Sequence, residues 1–243
     1  MGDFMKILDV RIDEVTMAEA VDRVKSFLNE DKMHLICTPN PEMIMTAQDD
    51  AEFKSILNSS ELNIPDGTGI VWASKKLSGN INERVAGFDF IHRIFELGKD
   101  KDISFYFLGS KPGVAELAGK KIEENYLGTR VVGSRDGYFS LEEEKKVIKE
   151  INSKNPDVLL VAMGAPKQER FINKYKDKLN CKVAIGVGGC FDVIAGNVKR
   201  APKIFIKLRL EWLYRGLTDF KRLKRLGAIP KFMIAIKRER RKK

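Results

Sequence analysis

Three short segments after residue 100 are apolar almost throughout, and each is followed by a stretch with helical spacing of its apolar residues. They are residues 103–108, 157–163 and 182–187. A strand that is apolar on both sides must be covered on both sides, and parallel strands need a crossover, usually a helix, between them. The alternation therefore predicts a Rossmann-like α/β fold, with a mostly parallel sheet and helices on both faces.

The first half of the chain follows the same alternation less plainly. An amphipathic helix is predicted over residues 16–30, where Thr16 and Glu19 have the spacing of a capping box. A short buried strand is predicted at residues 34–38, and two prolines end it before a helix over residues 42–47. Each predicted strand thus leads through a polar loop into a helix.

One such loop, residues 63–70, is predicted to be the end of a strand, a sharp turn and the first turn of a helix. Asp66 is expected at the helix N-cap, and Gly67 and Gly69 leave room for another molecule beside the backbone. Ligands of open α/β folds bind outside the carboxyl ends of the strands. This stretch by itself is consistent with either a reactive carboxylate or a simple capping aspartate.

Further polar residues share this placement after predicted strands. They are Thr38, Asn40, Asn82, Arg84, Lys167, Gln168 and Glu169. With Asp66 they supply a candidate base, cations for phosphate, and amides for hydroxyl groups. Glycine-rich loops before helices, such as the one containing Gly188, add backbone N–H donors for an anion. This set predicts a site for a phosphorylated, polyhydroxylated ligand that uses no metal and no cofactor.

Two nucleotide or metal motifs fail on their details. The loop at residues 186–189 begins like a dinucleotide-binding fingerprint, but Phe191 stands where the third glycine belongs. Asp100 and Asp102 match the D-x-D of metal-dependent sugar transferases, yet they precede their strand and are expected to be solvated turn acids. Cys37, Cys181 and Cys190 show no C-x-x-C spacing and are predicted to be free thiols in a reducing cytoplasm.

The charge of the chain is divided unevenly. The net charge is +10, but residues 196–243 carry 17 Lys and Arg against three acids, which leaves −4 on residues 1–195. The sequence therefore predicts an α/β catalytic domain over residues 1–195 and a basic, amphipathic helical tail over residues 196–243. Neither a signal peptide nor a membrane-spanning segment is expected.

The tail combines apolar residues at helical spacing with basic residues at the other positions, and three interpretations compete. A nucleic-acid-binding arm would explain the charge but not the apolar stripes. An arm that forms a homo-oligomer would explain the stripes but not the charge. Helices lying on an anionic membrane surface would explain both, and we favour them. Within the tail, Arg215, Arg222 and Arg225 have the spacing of one helical face.

Six motifs, in order along the chain, resemble the WecG/TagA/CpsF family of bacterial glycosyltransferases. They are Thr38-Pro-Asn-Pro-Glu42, Pro65-Asp-Gly-Thr-Gly69, Arg84-Val-Ala-Gly-Phe-Asp89, Gly164-Ala-Pro-Lys-Gln-Glu169, Gly186-Val-Gly-Gly189 and Glu211-Trp-Leu-Tyr-Arg215. The resemblance is strongest to the members that make the linkage unit of wall teichoic acid. It implies inverting, metal-independent transfer of N-acetylmannosamine from a UDP donor to the 4-hydroxyl of N-acetylglucosamine on undecaprenyl diphosphate.

The resemblance also implies roles for individual residues. By motif position Asp66 corresponds to the catalytic base, and Thr38, Arg84 and Gln168 correspond to donor-site residues. Asn40, Lys167 and Gly188 are predicted to bind substrate beside them, and Arg215, Arg222 and Arg225 are predicted to close over the diphosphates. The enzyme is then expected in the cytoplasm, bound peripherally to the inner face of the cell membrane. The alternatives are a nucleotide- or nucleic-acid-binding module with a basic tail, or a family member that uses another UDP-sugar.

Overall fold

The computed structural model describes residues 2–199, 201–202, 204–205, 214 and 227–241. The strands are β1 (Phe4–Ile7), β2 (Val10–Asp13), β3 (His34–Cys37), β4 (Leu62–Asn63), β5 (Ile103–Gly109), β6 (Thr129–Arg135), β7 (Val158–Ala162) and β8 (Val183–Gly186). β1 and β2 form an antiparallel hairpin, and the other six form one parallel sheet in the order β4-β3-β8-β7-β5-β6. The predicted α/β fold is confirmed.

Helices connect these strands and cover both faces of the sheet. They are α1 (Met17–Phe27), α2 (Pro41–Asp49), α3 (Ala51–Ser59), α4 (Thr68–Lys76), α5 (Gly87–Glu96), α6 (Val114–Asn125), α7 (Glu144–Lys154), α8 (Lys167–Lys174), α9 (Cys190–Ile194) and α10 (Ala228–Arg240). A short 3-10 helix, Leu97–Lys99, follows α5. Within the described ranges, no helix combines the length and apolar character that crossing a bilayer requires.

Alternation along the strands divides the core into two layers, one on each face of the sheet. On β5, Phe105 and Phe107 pack into one layer, whereas Tyr106 and Leu108 pack into the other. All four side chains are fully buried. This explains why the strand is apolar at almost every position, since neither of its faces meets solvent.

The predicted elements are largely present, with shifts at their ends. α1 has the predicted capping box between Thr16 and Glu19. α2 is followed at once by α3, a helix that the sequence analysis did not predict, although Asp50 caps it by accepting from the N–H of Phe53. The segment between the helix predicted at 42–47 and the strand before Asp66 is therefore mostly helical.

The β1–β2 hairpin was also not predicted, and buried charge anchors it to the sheet. The Asp13 carboxylate is fully buried and accepts from Arg11 at 2.6 Å and from the backbone N–H of Asn63 at 2.7 Å. Arg23 on α1 lies 3.3 Å from the same carboxylate. The hairpin thus holds the end of β4 three residues before Asp66.

The last described helix packs against the α/β body. Phe232 and Ile236 are fully buried, and α10 contacts α2 and α4. The Phe232 ring reaches the first turn of α4, since a Cβ built on Gly69 would lie 3.7 Å from it. The division of the chain at residues 195 and 196 stays a prediction, but α10 shares its buried core with the first 195 residues.

Truncation of Phe232 tests this packing. Phe232→Ala should lower the free energy of unfolding by about 3–5 kcal/mol, the usual cost of removing a buried phenylalanine side chain. The matched control is Ile234→Ala on the exposed side of the same helix, where the side chain is 52% exposed and the change should be below about 0.5 kcal/mol. Urea unfolding of both full-length variants gives the comparison, and equal effects would contradict the packing of α10.

Candidate active site

The loops at the carboxyl edge of the sheet surround a cavity of about 450 Å³. It lies over β3, β8 and β7 and is closed at the side by the segment that leads into α5. Six of the residues predicted to form a site line this cavity: Thr38, Asn40, Asp66, Arg84, Gln168 and Gly188. These residues are spread over 150 positions of the sequence, and the parallel sheet brings them together.

Backbone hydrogen bonds fix the position of Asp66. Its N–H donates to the carbonyl of Pro39 at 3.1 Å, and the N–H of Val85 donates to the carbonyl of Pro65 at 3.0 Å. The turn that carries Asp66 is therefore tied both to the loop after β3 and to the loop before α5. As a result, the three segments that supply Thr38, Asp66 and Arg84 are held side by side.

The side chain of Asp66 lies next to a cation and a glycine. Arg84 Nε is 3.6 Å from Asp66 Oδ1, and each side chain is about one-quarter exposed. A Cβ on Gly87 would lie 3.5 Å from Asp66 Oδ2 and 3.4 Å from Thr38 Cγ2. The start of α5 therefore lies close to both the carboxylate and the threonine, at distances where an added Cβ would make ordinary van der Waals contact.

Helix starts surround the cavity, and one of them differs from the prediction. α4 begins at Thr68, so its N-cap is Gly67, with φ +96°, and Asp66 lies one residue before the cap. The expectation that Asp66 occupies the N-cap is therefore wrong. Asn40 is the N-cap of α2 instead, and its Oδ1 accepts from the N–H of Met43 at 3.0 Å. This bond leaves the amide nitrogen of Asn40 for any role in binding.

Gln168 bridges two of the loops from below. Its side chain is almost fully buried, and its Oε1 accepts from the N–H of Gly164 at 3.1 Å and from the N–H of Gly188 at 3.0 Å. Gly188 has φ +53°, a left-handed conformation that glycine adopts at little cost. The amide oxygen of Gln168 thus joins the loop after β7 to the loop after β8.

Glu169, beside Gln168, is fully buried. Its Oε1 accepts from Gln168 Nε2 at 2.8 Å, and within the described part of the chain its Oε2 has no hydrogen-bond partner. Burial raises the pKa of Glu169 to about 7, because the surroundings disfavour the charged form more than the bond from Gln168 favours it. The sequence analysis noted Glu169 only as a polar residue at a strand end and gave it no role.

A second cavity, of about 670 Å³, adjoins the first over β5 and β7 and shares Ala162 and Asp192 with it. Lys167 lines this second cavity, together with Lys111 and the exposed Tyr138. The hydroxyl of Ser110 donates to Asp192 at 2.9 Å across its edge. Lys111, Tyr138 and Asp192 were missed, since no motif marks them and they meet only through the order of the strands.

The remaining predicted features lie elsewhere. Arg215, Arg222 and Arg225 fall outside the described residues. Asp102 precedes β5 at the amino end of the sheet and pairs with Arg130, as expected for a solvated turn acid. Cys37 and Cys181 are buried free thiols as predicted, whereas Cys190 is half-buried and lines the first cavity.

The arrangement combines a carboxylate, a neighbouring guanidinium, and several helix starts that point N–H groups toward one cavity. It suits displacement chemistry on a phosphorylated substrate, because a base and a site for an anionic leaving group lie side by side. A sequence profile of the WecG/TagA/CpsF family of glycosyl transferases matches residues 5–243. The chain belongs to this family, and the resemblance seen in its motifs is confirmed.

The similarity to individual relatives extends over most of this chain and most of theirs. Proteins of Bacillus spizizenii (strain ATCC 23059 / NRRL B-14472 / W23) and Bacillus subtilis (strain 168) are each 35% identical, over 89% and 90% of this chain and 83% and 85% of theirs. A protein of Staphylococcus aureus (strain MRSA252) is 36% identical over 97% of this chain and 93% of its own. All three are named N-acetylglucosaminyldiphosphoundecaprenol N-acetyl-beta-D-mannosaminyltransferase.

The raised pKa of Glu169 predicts a pH-dependent stability. Between pH 4.5 and 7 the unfolded chain loses this proton while the folded chain keeps it, so the free energy of unfolding falls as the pH rises. Glu169→Gln cannot titrate. It should match the wild type near pH 5 and exceed it near pH 8 by an amount on the order of 3 kcal/mol.

Urea unfolding at several pH values measures this difference. The control is Glu142→Gln, at an exposed position next to α7, which should run parallel to the wild type at every pH. A constant difference between Glu169→Gln and the wild type from pH 5 to pH 8 would show that Glu169 is ionised in the folded protein throughout.

Proposed function

We propose that this protein transfers N-acetylmannosamine from UDP-N-acetylmannosamine to the 4-hydroxyl of N-acetylglucosamine on undecaprenyl diphosphate. The observation that carries the proposal is the placement of Asp66 and Arg84 side by side in a cavity at the carboxyl edge of the sheet. Family membership supports the reaction class, and the shared name of the relatives supports the substrates. A nucleic-acid-binding module would leave both of these findings unexplained.

In the proposed reaction Asp66 removes the proton of the acceptor hydroxyl as its oxygen attacks the anomeric carbon. The new carbon–oxygen bond forms while the bond from that carbon to the β-phosphate oxygen breaks, and UDP leaves with the bonding electrons. A single in-line displacement inverts the configuration at the anomeric carbon. A carboxylate at the edge of an open cavity is suited to this role, since it can accept a proton from a bound hydroxyl.

The leaving UDP gains negative charge, which must be stabilised where it develops. In our proposal Arg84 and the starts of α2, α4 and α8 supply this stabilisation, so that the reaction proceeds without a metal ion. Arg215, Arg222 and Arg225 would add cations from the tail. Fixed backbone donors suit this role, because they need not reorganise when the charge appears.

The two adjoining cavities give the donor a natural orientation. The chain leaves β5 toward one edge of the sheet and leaves β7 toward the other, and ligands of open α/β folds bind at such a switch point. We therefore place the nucleotide in the second cavity, beside Lys111, Lys167 and Tyr138. The sugar then reaches into the first cavity, where Asp66 meets the acceptor.

Replacing the base tests the mechanism. Asp66→Asn should lower turnover by about 10²–10⁴-fold, the usual contribution of a general base, while UDP binding stays close to that of the wild type. The assay uses UDP-N-acetylmannosamine and a short-chain lipid-diphosphate-N-acetylglucosamine acceptor, in EDTA, with calorimetry for UDP binding. EDTA is included because the proposed reaction needs no metal.

The matched control is Asp102→Asn, which removes a carboxylate at the opposite end of the sheet and should leave turnover unchanged. Near-normal turnover in Asp66→Asn would show that Asp66 is not the catalytic base. A wild-type activity that requires Mg²⁺ or Mn²⁺ would contradict the metal-independent mechanism, and transfer of a different sugar would contradict the proposed donor.

We also propose that the protein binds the inner face of the cell membrane, where its lipid-linked acceptor would lie. On α10, Met233 and Ile234 are 40% and 52% exposed. Lys231 and Arg238 lie one turn before and one turn after Ile234 and are also exposed, so apolar and basic side chains share one helical face. Such a face suits an anionic bilayer, with apolar groups inserted and cations beside the headgroups.

Sedimentation with vesicles of phosphatidylcholine and phosphatidylglycerol tests this association. The double variant Met233→Ser/Ile234→Ser should bind about tenfold more weakly, because it loses apolar groups that would enter the bilayer. Leu127→Ser is the control, since Leu127 is 81% exposed before β6, at the amino end of the sheet, and should not affect binding. Unchanged vesicle binding, accompanied by a shift in oligomeric state, would instead assign this face of α10 to a homo-oligomer.

A further inference from the structure

The buried pair Gln168–Glu169 lies directly beneath the first cavity, on the backbone of β8. A Cβ on Gly186 would collide with Gln168 Nε2 and lie 2.7 Å from Glu169 Oε1. The two side chains therefore occupy the space that a side chain at Gly186 would fill. Gln168 lines the cavity, whereas Glu169 lies behind it and touches neither cavity.

The hydrogen bonds of Gln168 fix which end of its amide faces which neighbour. Both backbone groups on one side, the N–H groups of Gly164 and Gly188, are donors, so the amide oxygen must face them. The amide nitrogen then faces Glu169, whose Oε1 accepts from it. Without this acceptor the amide group would be buried with no partner on that side, or the side chain would turn and release the two glycines.

A glutamate suits this position because burial disfavours its charged form. An ionised carboxylate with one buried, unpartnered oxygen is strongly disfavoured, and burial accordingly raises the pKa of Glu169 to about 7. The protonated carboxyl keeps Oε1 as an acceptor for Gln168 without placing a full negative charge beneath a site for diphosphates. The pair therefore supplies a hydrogen-bond acceptor with little electrostatic repulsion of the ligand.

We propose that Glu169 is a positioning residue for the transfer reaction. Its carboxyl oxygen orients the Gln168 amide, and that amide holds the Gly164 and Gly188 loops in the geometry that binds the donor. The proposal rests on the proposed function only in assigning the first cavity to the sugar and diphosphate of the donor. The hydrogen-bond relay from Glu169 through Gln168 to the two glycines does not depend on which sugar is transferred.

Three full-length variants distinguish the role of Glu169 as a hydrogen-bond acceptor from the packing of its side chain. Glu169→Met keeps the length of the side chain but removes the acceptor. Glu169→Asp keeps the carboxyl but withdraws it by one methylene, and Glu169→Gln keeps an acceptor oxygen at the same length. The donor KM and the UDP dissociation constant should rise about 10- to 100-fold in Glu169→Met and Glu169→Asp, the range expected when a buried amide loses its partner.

Glu169→Gln should restore both constants to within about threefold of the wild type at pH 7, and the acceptor KM should be unchanged in all three variants. Equal defects in Glu169→Gln and Glu169→Met would overturn the proposal. A normal donor KM in Glu169→Met would also overturn the proposal. If Glu169→Met does not fold, a normal donor KM in Glu169→Asp would do so. A loss of melting temperature with unchanged donor KM would mean that Glu169 serves stability alone.

Amide hydrogen exchange at Gly164 and Gly188 provides a readout that needs no turnover. Exchange at both glycines should be faster in Glu169→Asp than in the wild type and in Glu169→Gln, because the Gln168 oxygen no longer holds them. Unchanged exchange would overturn the proposal. A wild type that does not use UDP-N-acetylmannosamine would count against the proposed function, whereas the exchange result would still decide the role of Glu169.

Discussion

The pairing of β3 with β8 is the contact on which the rest of the structure depends. His34 lies opposite Val183 and Ile36 opposite Ile185, so two strands far apart in the sequence become neighbours inside the sheet. Because the strands are parallel, the loops that follow them leave at the same edge. Thr38 and Asp66 come from one half of the chain and Gln168 and Gly188 from the other, and neither half contains a complete cavity.

The first 195 residues have a net negative charge, but the loops around the two cavities place positive groups there. The first 195 residues carry a net charge of −4, which gives no general attraction for a substrate that bears a diphosphate. Arg84, Lys111 and Lys167 line the two cavities, and helix starts add backbone N–H donors beside them. The large positive charge resides in the tail, where it is suited to a surface of anionic lipids. In the proposed function, recognition of the soluble donor and attachment to a membrane therefore belong to different parts of the chain.

The sequence predicted those features that depend on local pattern. Continuous apolar runs identified β5, β7 and β8, and glycine and proline placed the loops at which they end. The β1–β2 hairpin was missed because its pattern is short, and because two partners of the buried Asp13 carboxylate, Arg23 and the backbone N–H of Asn63, lie 10 and 50 positions away in the sequence. The position of Glu169 could not be predicted either, since it depends on the missing side chain of Gly186 on another strand. Asp66 was placed one residue too far into its helix, because a glycine with positive φ occupies the cap.

The docking of α10 has a consequence for biosynthesis. This helix is translated after every other described element. Its Phe232 nevertheless packs on the first turn of α4, which begins two residues after Asp66. A nascent chain can pair β3 with β8 before α10 has left the ribosome, but the support beneath that turn is then still incomplete. Domains generally fold as units during synthesis at about 5–20 residues per second, so the delay is short. The contact between α10 and the first turn of α4 can therefore form only after residues 228–240 have been synthesised.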